Sequence, residues 1–487
     1  MDGDARSPYG EHMLNRRNFL ALGGLVAGGA VLSPPLLALR AGAADLGARR
    51  TGAASTGPFQ VRMPVPQTLR PVRSSAAGDA YQIDIRPADV EILPGVTTPA
   101  LTYNGSFVGP TIRAKTGRPV TVTFRNWLDM PANVHLHGGH TPASSDGHPM
   151  DVIEPGQSRV YEYPNAQRGA TLWYHDHSHH MEAEHVYRGL HGFYLIDDDA
   201  EKGLRLPSGA FDVPILIRNA QIDETGALVF GNPAERTVLT ANGKAQPYFP
   251  VFARKYRLRL LNGSTEGSFT LGLDGVQFTQ ISSDGGLLPE PVPRTQLTLS
   301  AGERTDVVVD FSRHTVGTRL VLSDATAGPI VRFDVVGQAS DLSLLPDELR
   351  PLPALGTATV EREVTLSFDM SGSMPVGLVN GQPYDPNRND FQIKRGSTEI
   401  WRVVNGDTAW GFPHNFHLHQ TSFRVLERDG GAPTLDDAGL KDTLPLAAGS
   451  VVRLQATFND YVGRYVYHCH FLEHSSLGMM GQMEIVP

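Results

Sequence analysis

The sequence predicts an all-β protein made of three consecutive β-sandwich or β-barrel domains. Its 487 residues are too many for one ordinary core, because about 150 residues per domain is typical. Charged residues make up only 19%, whereas Gly and Pro number 51 and 36, which favours turn-rich β structure over disorder or long helices. Short alternating runs bounded by turn residues recur at 120–124, 213–217, 256–261, 307–311, 400–404 and 463–467.

The first forty residues differ in composition from the rest of the chain. The pair Arg16-Arg17 precedes a stretch rich in Gly, Ala and Leu. This pattern is typical of a twin-arginine export signal, which we place at 1–43. A membrane anchor is the alternative, but two adjacent prolines and several glycines interrupt a stretch barely long enough to span a bilayer. We expect export to the periplasm, cell surface or medium, with no membrane span in the mature chain.

Charge and cysteine content limit the partners and the chemistry of the mature chain. Residues 1–43 carry four Arg and three acids, so the remainder has a formal charge of −10. Nucleic acid is therefore not an expected partner. Cys469 is the only cysteine, so it has no intramolecular disulfide partner. Metal ligation and nucleophilic catalysis are the candidate roles for Cys469.

Linker-like stretches near 202–209 and 340–356 divide the mature chain into three pieces of similar size. We place domain boundaries at 44–203, 204–345 and 346–487. The first and third pieces repeat each other, with offsets of 282 and 293 residues between matching His motifs. The middle piece has strand-like segments but no His pair, so duplication followed by loss of ligands is the simplest explanation.

Four His-x-His pairs carry the predicted chemistry. The pairs are His135/His137, His175/His177, His417/His419 and His468/His470. Alternation along a strand puts both imidazoles of a pair on one face, about 7 Å apart. Two pairs come from the first piece and two from the third, so a shared metal cluster would lie between those domains. Zinc is a poor alternative, because a tetrahedral site needs only four ligands.

The cysteine predicts a second metal site. Alternation within the third-domain motif directs Cys469 to the face opposite its two neighbouring histidines. A thiolate, two imidazoles and a weak axial thioether form the ligand set of a blue copper centre. The remaining candidates for this set are His414, His474 and Met479. The two sites would lie on the order of 12 Å apart and be joined by covalent bonds, which suits electron transfer.

The complete motifs resemble the four signatures of multicopper oxidases. They lie at 135–138, 173–177, 414–419 and 468–474, followed by Gly478-Met479-Met480. Flanking segments at 164–169, 441–443 and 463–465 resemble the branch that contains bilirubin oxidases and the bacterial spore-coat laccase. The resemblance extends from about residue 60 to the end, and a lone His-x-His would be far less specific.

The resemblance implies three cupredoxin-like β-sandwich domains with Greek-key topology and four copper ions. His414, Cys469 and His474 would hold the type 1 copper, with Met479 axial. His135 and His417 would hold the type 2 copper. The type 3 pair would be held by His137, His175 and His470 on one ion and by His177, His419 and His468 on the other.

The implied reaction is laccase-like. A small reductant, such as a phenol or aromatic amine, would supply single electrons, and dioxygen would be reduced to two waters. Oxidation of cuprous ion for copper tolerance and oxidation of bilirubin are alternatives. A non-catalytic cupredoxin scaffold is a further alternative that the full ligand set disfavours, and a two-domain copper nitrite reductase does not call for four His pairs.

Three positions bear on proton supply and on the type 1 site. Asp146 stands where bilirubin-oxidase-like relatives place a carboxylate, so we expect it to relay protons, with a solvated turn Asp as the alternative. Ser475 replaces a common Glu, which leads us to expect more proton flux through Asp146 and ordered water. Asn415 replaces a common Pro and is expected to leave the loop around His414 less constrained.

Overall fold

The structure is a computed structural model that describes residues 57–487. The predicted export signal at 1–43 lies outside the described residues. Within 57–487 the chain forms six β-sheets and two short α-helices, so the all-β prediction is confirmed. None of the described helices is long and apolar enough to cross a membrane.

The first domain contains two facing sheets and one helix, α1 (Glu182–Arg188). Its strands are β1 (Arg73–Ser75), β2 (Gly78–Glu91), β3 (Thr97–Tyr103), β4 (Gly109–Lys115), β5 (Val120–Asn126), β6 (His135–His137), β7 (Ser158–Tyr163), β8 (Ala170–His175) and β9 (His191–Asp197). One sheet has the order β1-β2-β5-β7 with β3 on β2, and the other has the order β4-β9-β8-β6. Alternate apolar residues such as Ile83 and Val122 form a single core between them.

The second domain has a seven-stranded sheet, β12-β11-β10-β14-β19-β16-β17, against a five-stranded sheet, β13-β21-β20-β15-β18. Its strands are β10 (Asp212–Ala220), β11 (Val238–Ala241), β12 (Lys244–Ala245), β13 (Tyr248–Ala253), β14 (Lys255–Asn262), β15 (Ser268–Leu273), β16 (Phe278–Ser283), β17 (Gly286–Arg294), β18 (Gln296–Ser300), β19 (Arg304–Asp310), β20 (Arg319–Asp324) and β21 (Gly328–Gln338).

The third domain has two five-stranded sheets, β23-β22-β25-β29-β27 and β24-β31-β30-β26-β28, and the helix α2 (Leu472–Ser476). Its strands are β22 (Val360–Asp369), β23 (Val376–Val379), β24 (Phe391–Lys394), β25 (Thr398–Asn405), β26 (His414–Leu418), β27 (Phe423–Arg428), β28 (Thr443–Leu446), β29 (Val451–Thr457), β30 (Gly463–His468) and β31 (Met480–Val486). Short 3-10 helices elsewhere lie at Ala143–Ser145, Asp199–Leu204, Gly209–Phe211, Pro233–Glu235, Phe311–Arg313 and Leu435–Asp437.

The three domains share one topology. Each domain has one parallel strand pair in each of its two sheets. These pairs are β2–β5 and β4–β9 in the first domain, β10–β14 and β13–β21 in the second, and β22–β25 and β24–β31 in the third. These pairs join strands that are far apart in sequence, as Greek-key connections require. The six sequence-predicted runs all fall in strands, except that Phe311 begins a 3-10 helix.

A buried ion-pair group joins the first and second domains. Arg259 donates two hydrogen bonds to Asp212, at 2.6 and 2.9 Å, and a third to Thr171 Oγ1 at 2.8 Å. Thr171 in turn donates to Asp306 at 2.8 Å, and Arg113 also donates to Asp212. Because the Arg259 side chain is only 3% exposed, these carboxylates depend on it for charge compensation.

We predict that Arg259→Ala lowers the free energy of unfolding by about 3–5 kcal/mol, because it leaves buried carboxylates without their main partner. Denaturant unfolding followed by tryptophan fluorescence measures this change. Arg402→Ala is the matched control, since Arg402 pairs with Glu363 at the surface and its loss should change stability little. Equal effects of the two variants would contradict the prediction.

Candidate metal centre

Equivalent strand pairs position the predicted histidines in the first and third domains. In the first domain β6 runs antiparallel to β8, and His135 lies opposite His175. In the third domain β26 runs antiparallel to β30, and His417 lies opposite His468. The repeat seen in the sequence therefore corresponds to the same strand register in both domains.

The chain leaves the strand at three of the four His pairs. Only the pair in β6 lies wholly within a strand, whereas β8 ends at His175, β26 at Leu418 and β30 at His468. Ring centroids within the four pairs are 5.8, 6.0, 4.9 and 5.6 Å apart, which is less than the spacing of about 7 Å expected for regular strands. The imidazoles of each pair therefore converge instead of projecting side by side.

The eight imidazoles meet in one buried cluster between the first and third domains. Each is at most 1% exposed. The rings of His135 and His419 stack at a centroid distance of 3.8 Å, as do those of His137 and His417. His177 Nε2 lies 3.2 Å from His468 Nε2. Each of these contacts joins residues of different domains, so the cluster holds the two domains together.

The nitrogens of the cluster form groups whose members are close enough together to share a metal ion. Ligand atoms lie within 4.8 Å of one another in three all-histidine sets, namely His135/His137/His175, His135/His417/His419 and His177/His419/His468. The last set is one of the predicted type 3 sites, and the Nε2 atoms of the predicted type 2 pair, His135 and His417, are 3.5 Å apart.

His470 is less closely grouped. Among residues 57–487, His470 is in none of the sets whose ligand atoms lie within 4.8 Å of one another. Its ring centroid lies 4.7 Å from that of His137 and 5.4 Å from that of His175, the two residues predicted to share an ion with it.

A second buried group lies in the third domain alone. Cys469 Sγ is 3.8 Å from His414 Nδ1 and 3.5 Å from His474 Nδ1, and these two nitrogens are 3.0 Å apart. Met479 is fully buried, and its carbonyl accepts a hydrogen bond from the Cys469 amide at 3.1 Å. The structure thus separates Cys469 from its two neighbours, as strand alternation predicts.

The electrostatics of the cluster keep the imidazoles neutral. Burial and neighbouring imidazoles lower the pKa of His177 well below its ordinary range, and burial is also the main reason why the pKa of His417 falls to about 3. Neutral imidazole is the form that binds metal. Within the cluster, five buried ring nitrogens have no hydrogen-bond partner in the described protein: His137 Nδ1, His175 Nε2, His177 Nδ1 and both nitrogens of His470. A neutral imidazole has one nitrogen lone pair, so each of these four rings can offer one nitrogen to a metal ion.

The Cys469 thiol is suited to bind metal as thiolate. Burial raises its pKa to about 12, so a cation is needed to displace the proton. The backbone also ties the two groups together, because His468 Nδ1 donates a hydrogen bond to the Cys469 carbonyl at 2.9 Å.

Asp442 and Arg304 support the cluster, although sequence reasoning did not single them out as site residues. Asp442 Oδ1 lies 3.0 Å from His137 Nε2, and the Asp442 carbonyl lies 2.8 Å from His417 Nδ1. Arg304, from β19 of the second domain, donates to both carboxylate oxygens of Asp442 at 2.7 and 2.6 Å. Asp442 lies in a segment that the family resemblance included, but Arg304 carried no local signal.

Asp146 lies inside the cluster and not in a solvated turn. It is 1% exposed, and its Oδ2 is 2.7 Å from His419 Nδ1. Its carbonyl is 2.6 Å from His135 Nδ1. Burial raises the pKa of this carboxyl well above its ordinary range. Asp146 therefore contacts histidines of both domains.

The expectation that Asn415 loosens the loop around His414 is wrong. Asn415 is fully buried in β26, and its side-chain amide donates to the Ala301 carbonyl at 2.8 Å and to Ser300 Oγ at 3.2 Å. Its Oδ1 also lies 3.6 Å from Cys469 Sγ. The side chain thus anchors the strand to the second domain through hydrogen bonds that a proline could not make.

Three models of the multicopper oxidase family match the chain, at residues 84–201, 223–333 and 357–487. The chain is 34% identical to a laccase of Bacillus stratosphericus, over 88% of this chain and 99% of the relative. It is 32% identical to a bilirubin oxidase of Albifimbria verrucaria, over 87% and 80%. A crystal structure of a laccase from Pediococcus acidilactici superposes with a TM-score of 0.82 at 31% identity, covering 89% of this chain and 95% of that one.

The buried histidine groups and the cupredoxin-like domains define a metal-binding oxidoreductase. The chain belongs to the multicopper oxidase family. It is therefore a copper-dependent enzyme whose substrates are dioxygen and a reductant.

Proposed function

We propose that this protein is a laccase-like oxidase that couples one-electron oxidation of phenols, aromatic amines or related donors to four-electron reduction of dioxygen to water. The observation that carries the proposal is the meeting of eight buried imidazoles from two domains beside a separate Cys-His-His group. Similarity to laccases over most of the chain supports it.

Four copper ions would occupy these groups. The type 1 ion would be held by His414, Cys469, His474 and Met479, and the type 2 ion by His135 and His417. The type 3 pair would be held by His137, His175 and His470 and by His177, His419 and His468. The spacing of His414, Cys469 and His474 supports the type 1 site, and the spacing of His177, His419 and His468 supports one of the two type 3 sites. When bound, the copper ions accept single electrons and deliver four of them to dioxygen.

The protein's own residues orient the site and connect its parts. Cys469 links the two groups through the peptide bonds to its neighbours and through its carbonyl, which accepts from His468. Asp407 Oδ2 lies 2.8 Å from His414 Nε2 and fixes the orientation of that ring. Phe368 packs against the His474 ring at a centroid distance of 4.8 Å, and Trp410 is 43% exposed in the loop before His414. The exposed Trp410 ring favours aromatic donors, whereas Phe368 is buried and supports the His474 ring from the core.

Asp146 would hold and transfer a proton within the cluster. Reduction of one dioxygen consumes four protons, and this carboxyl lies next to His419 with a raised pKa. It also orients His135 and His419 through its carbonyl and carboxylate.

Export and domain boundaries complete the proposal. The Arg16-Arg17 pattern supports export through the twin-arginine pathway to the periplasm, cell surface or medium. Domains at 44–203, 204–345 and 346–487 agree with sheets whose strands lie at 73–197, 212–338 and 360–486.

We predict that two substitutions separate the functions of the two groups. Cys469→Ser should abolish the blue colour of the copper-loaded protein, because the thiolate is the ligand that gives that colour. His417→Gln should keep the colour but lose oxygen consumption, because His417 lies only in the cluster. Absorption spectra, copper content and oxygen uptake test both variants. A colourless copper-loaded wild type would refute the type 1 assignment.

We predict that Asp146→Asn lowers turnover by about 10²-fold, because the variant keeps the size of the side chain but has no titratable proton. In the wild type Asp146 can supply a proton as long as its carboxyl is protonated. This proton supply is lost as pH rises through the raised pKa of Asp146. The variant should lack this decline in a pH profile of oxygen uptake. Asp151→Asn, at a half-exposed carboxylate of the same loop, is the control. An unchanged profile in Asp146→Asn would exclude the proton role.

An oxygen-uptake panel of phenols, aromatic amines, bilirubin and Cu(I) identifies the class of donor. We expect phenols and aromatic amines to give the highest kcat/KM, because the exposed Trp410 in the loop before His414 offers an aromatic ring for them to stack on. A clear preference for Cu(I) would instead identify a cuprous-ion oxidase, and a preference for bilirubin a bilirubin oxidase.

A further inference from the structure

Glu182 is a buried carboxyl that the reaction outlined above does not use. It lies at the start of α1, is fully buried, and its Oε1 is 2.8 Å from Ser475 Oγ. Its Oε2 has no hydrogen-bond partner in the described protein. Burial raises the pKa of this carboxyl to about 7, and the hydrogen bond from Ser475 opposes that rise.

The Glu182 and Ser475 pair lies where two segments leave the histidine cluster. Helix α1 begins five residues after His177, and α2 begins two residues after His470. The two helices pack in one apolar group with Trp173. The Trp173 ring lies 5.7 Å from the His470 ring. The Glu182 and Ser475 pair is thus packed next to the two segments that carry cluster histidines of the first and third domains.

The hydrogen bonds of Ser475 accommodate both charge states of Glu182. Ser475 Oγ lies 2.8 Å from the carboxyl and 3.1 Å from the Leu472 carbonyl, and its single proton can point to only one of them. With Glu182 ionised, the hydroxyl donates to the carboxylate. With Glu182 protonated, the carboxyl donates to Ser475, whose own proton turns to Leu472. Gain or loss of a proton therefore requires no rearrangement of the backbone.

The other side of Glu182 faces Ser476, the last residue of α2. The Ser476 hydroxyl is close enough to lower the pKa of Glu182. Its oxygen is buried, whereas Ser476 as a whole is only half-buried. The next residue outward, His180, is exposed, and its Nδ1 lies 2.8 Å from the Ser476 carbonyl. Glu182 thus stands between the surface and the ligand-bearing segments.

Three other titratable groups face Glu182. The Asp176 carboxylate raises the pKa of Glu182 further, after burial. Burial lowers the pKa of His185, but Asp176, and to a smaller extent Glu184 and Glu182, raise it, and the net change is an increase. His185 Nδ1 lies 3.1 Å from the Asp176 carboxylate. Burial, and to a smaller extent Glu182, raises the pKa of the Tyr384 phenol, so Tyr384 stays neutral.

We propose that Glu182 supplies protons to the oxygen-reducing cluster through the Ser475 hydroxyl, an inference that rests on the function proposed above. The Glu182 carboxyl gives its proton to the Ser475 oxygen while the Ser475 hydroxyl proton passes through water to the oxygen being reduced. Ser475 remains neutral, and the Glu182 carboxylate takes a new proton from solvent on the Ser476 side. The electrons come from the reductant, so the step moves protons only.

The decisive experiment exchanges the carboxyl and the hydroxyl between positions 182 and 475 in the copper-loaded full chain. Glu182→Gln should lower oxygen uptake with a phenol by about 10-fold or more and change its pH profile, because the amide has no proton of suitable pKa. The double variant Glu182→Ser with Ser475→Glu returns one carboxyl and one hydroxyl to the pair and should restore most of the rate. Blue colour and copper content should match the wild type in both. Glu184→Gln, on the same helix but paired with Arg188, is the control and should change nothing.

Two results would overturn the proposal. One is a Glu182→Gln protein with full copper content whose rate and pH profile equal those of the wild type. The other is a fully loaded double variant that stays as slow as Glu182→Gln, which would assign Glu182 a purely structural role. If Glu182→Gln does not take up copper, the double variant decides alone. Failure of the proposed function is distinct, since the wild type itself would then consume no oxygen with any donor.

Discussion

The arrangement depends on the burial of eight neutral imidazoles between two domains. A cluster of this kind is unfavourable by itself, because several ring nitrogens have no hydrogen-bond partner and protonation is opposed by burial and by the neighbouring rings. Bound cations remove both penalties, since each uses the lone pairs that the protein leaves free. Because each domain supplies only half of the imidazoles, the docking of the first and third domains and the formation of the site are one event.

The second domain shows how a domain without ligands still shapes the site. Arg304 reaches from β19 to the Asp442 carboxylate, which in turn contacts His137. Lys441, the residue before Asp442, is buried and pairs with Asp284 and Glu303 of the second domain at 2.9 and 2.7 Å. These contacts fix the strand that follows Asp442, so the second domain positions cluster histidines from a distance.

Sequence reasoning predicted the fold and the parts of the site that are local in the chain. The His-x-His pairs, the position of Cys469 on the opposite face and the repeat between the first and third domains all follow from period-two alternation and motif spacing. It did not predict that three pairs cross strand ends, because the end of a strand depends on pairing with distant partners. It also misjudged Asn415, whose partners Ser300 and Ala301 lie more than a hundred residues away.

The same limit explains why Glu182 could not be found in the sequence. Its partner Ser475 is 293 residues away, and nothing local distinguishes it from a surface glutamate at a helix start. The sequence showed only that position 475 lacks a carboxylate. The structure places the Glu182 carboxyl of the first domain next to that position. The proposed proton supply therefore depends on side-chain packing between domains and not on one motif.

An anaerobic reductive titration of the copper-loaded wild type, followed by a pulse of dioxygen, shows whether the two buried groups work together. If the Cys469 group and the imidazole cluster act as one electron-storing unit, each chain takes up four electrons. It then consumes one dioxygen, releases no hydrogen peroxide and returns to its oxidised spectrum. Uptake of fewer than four electrons by fully loaded protein, or release of hydrogen peroxide after the pulse, would show that the Cys469 group and the imidazole cluster do not act as one unit.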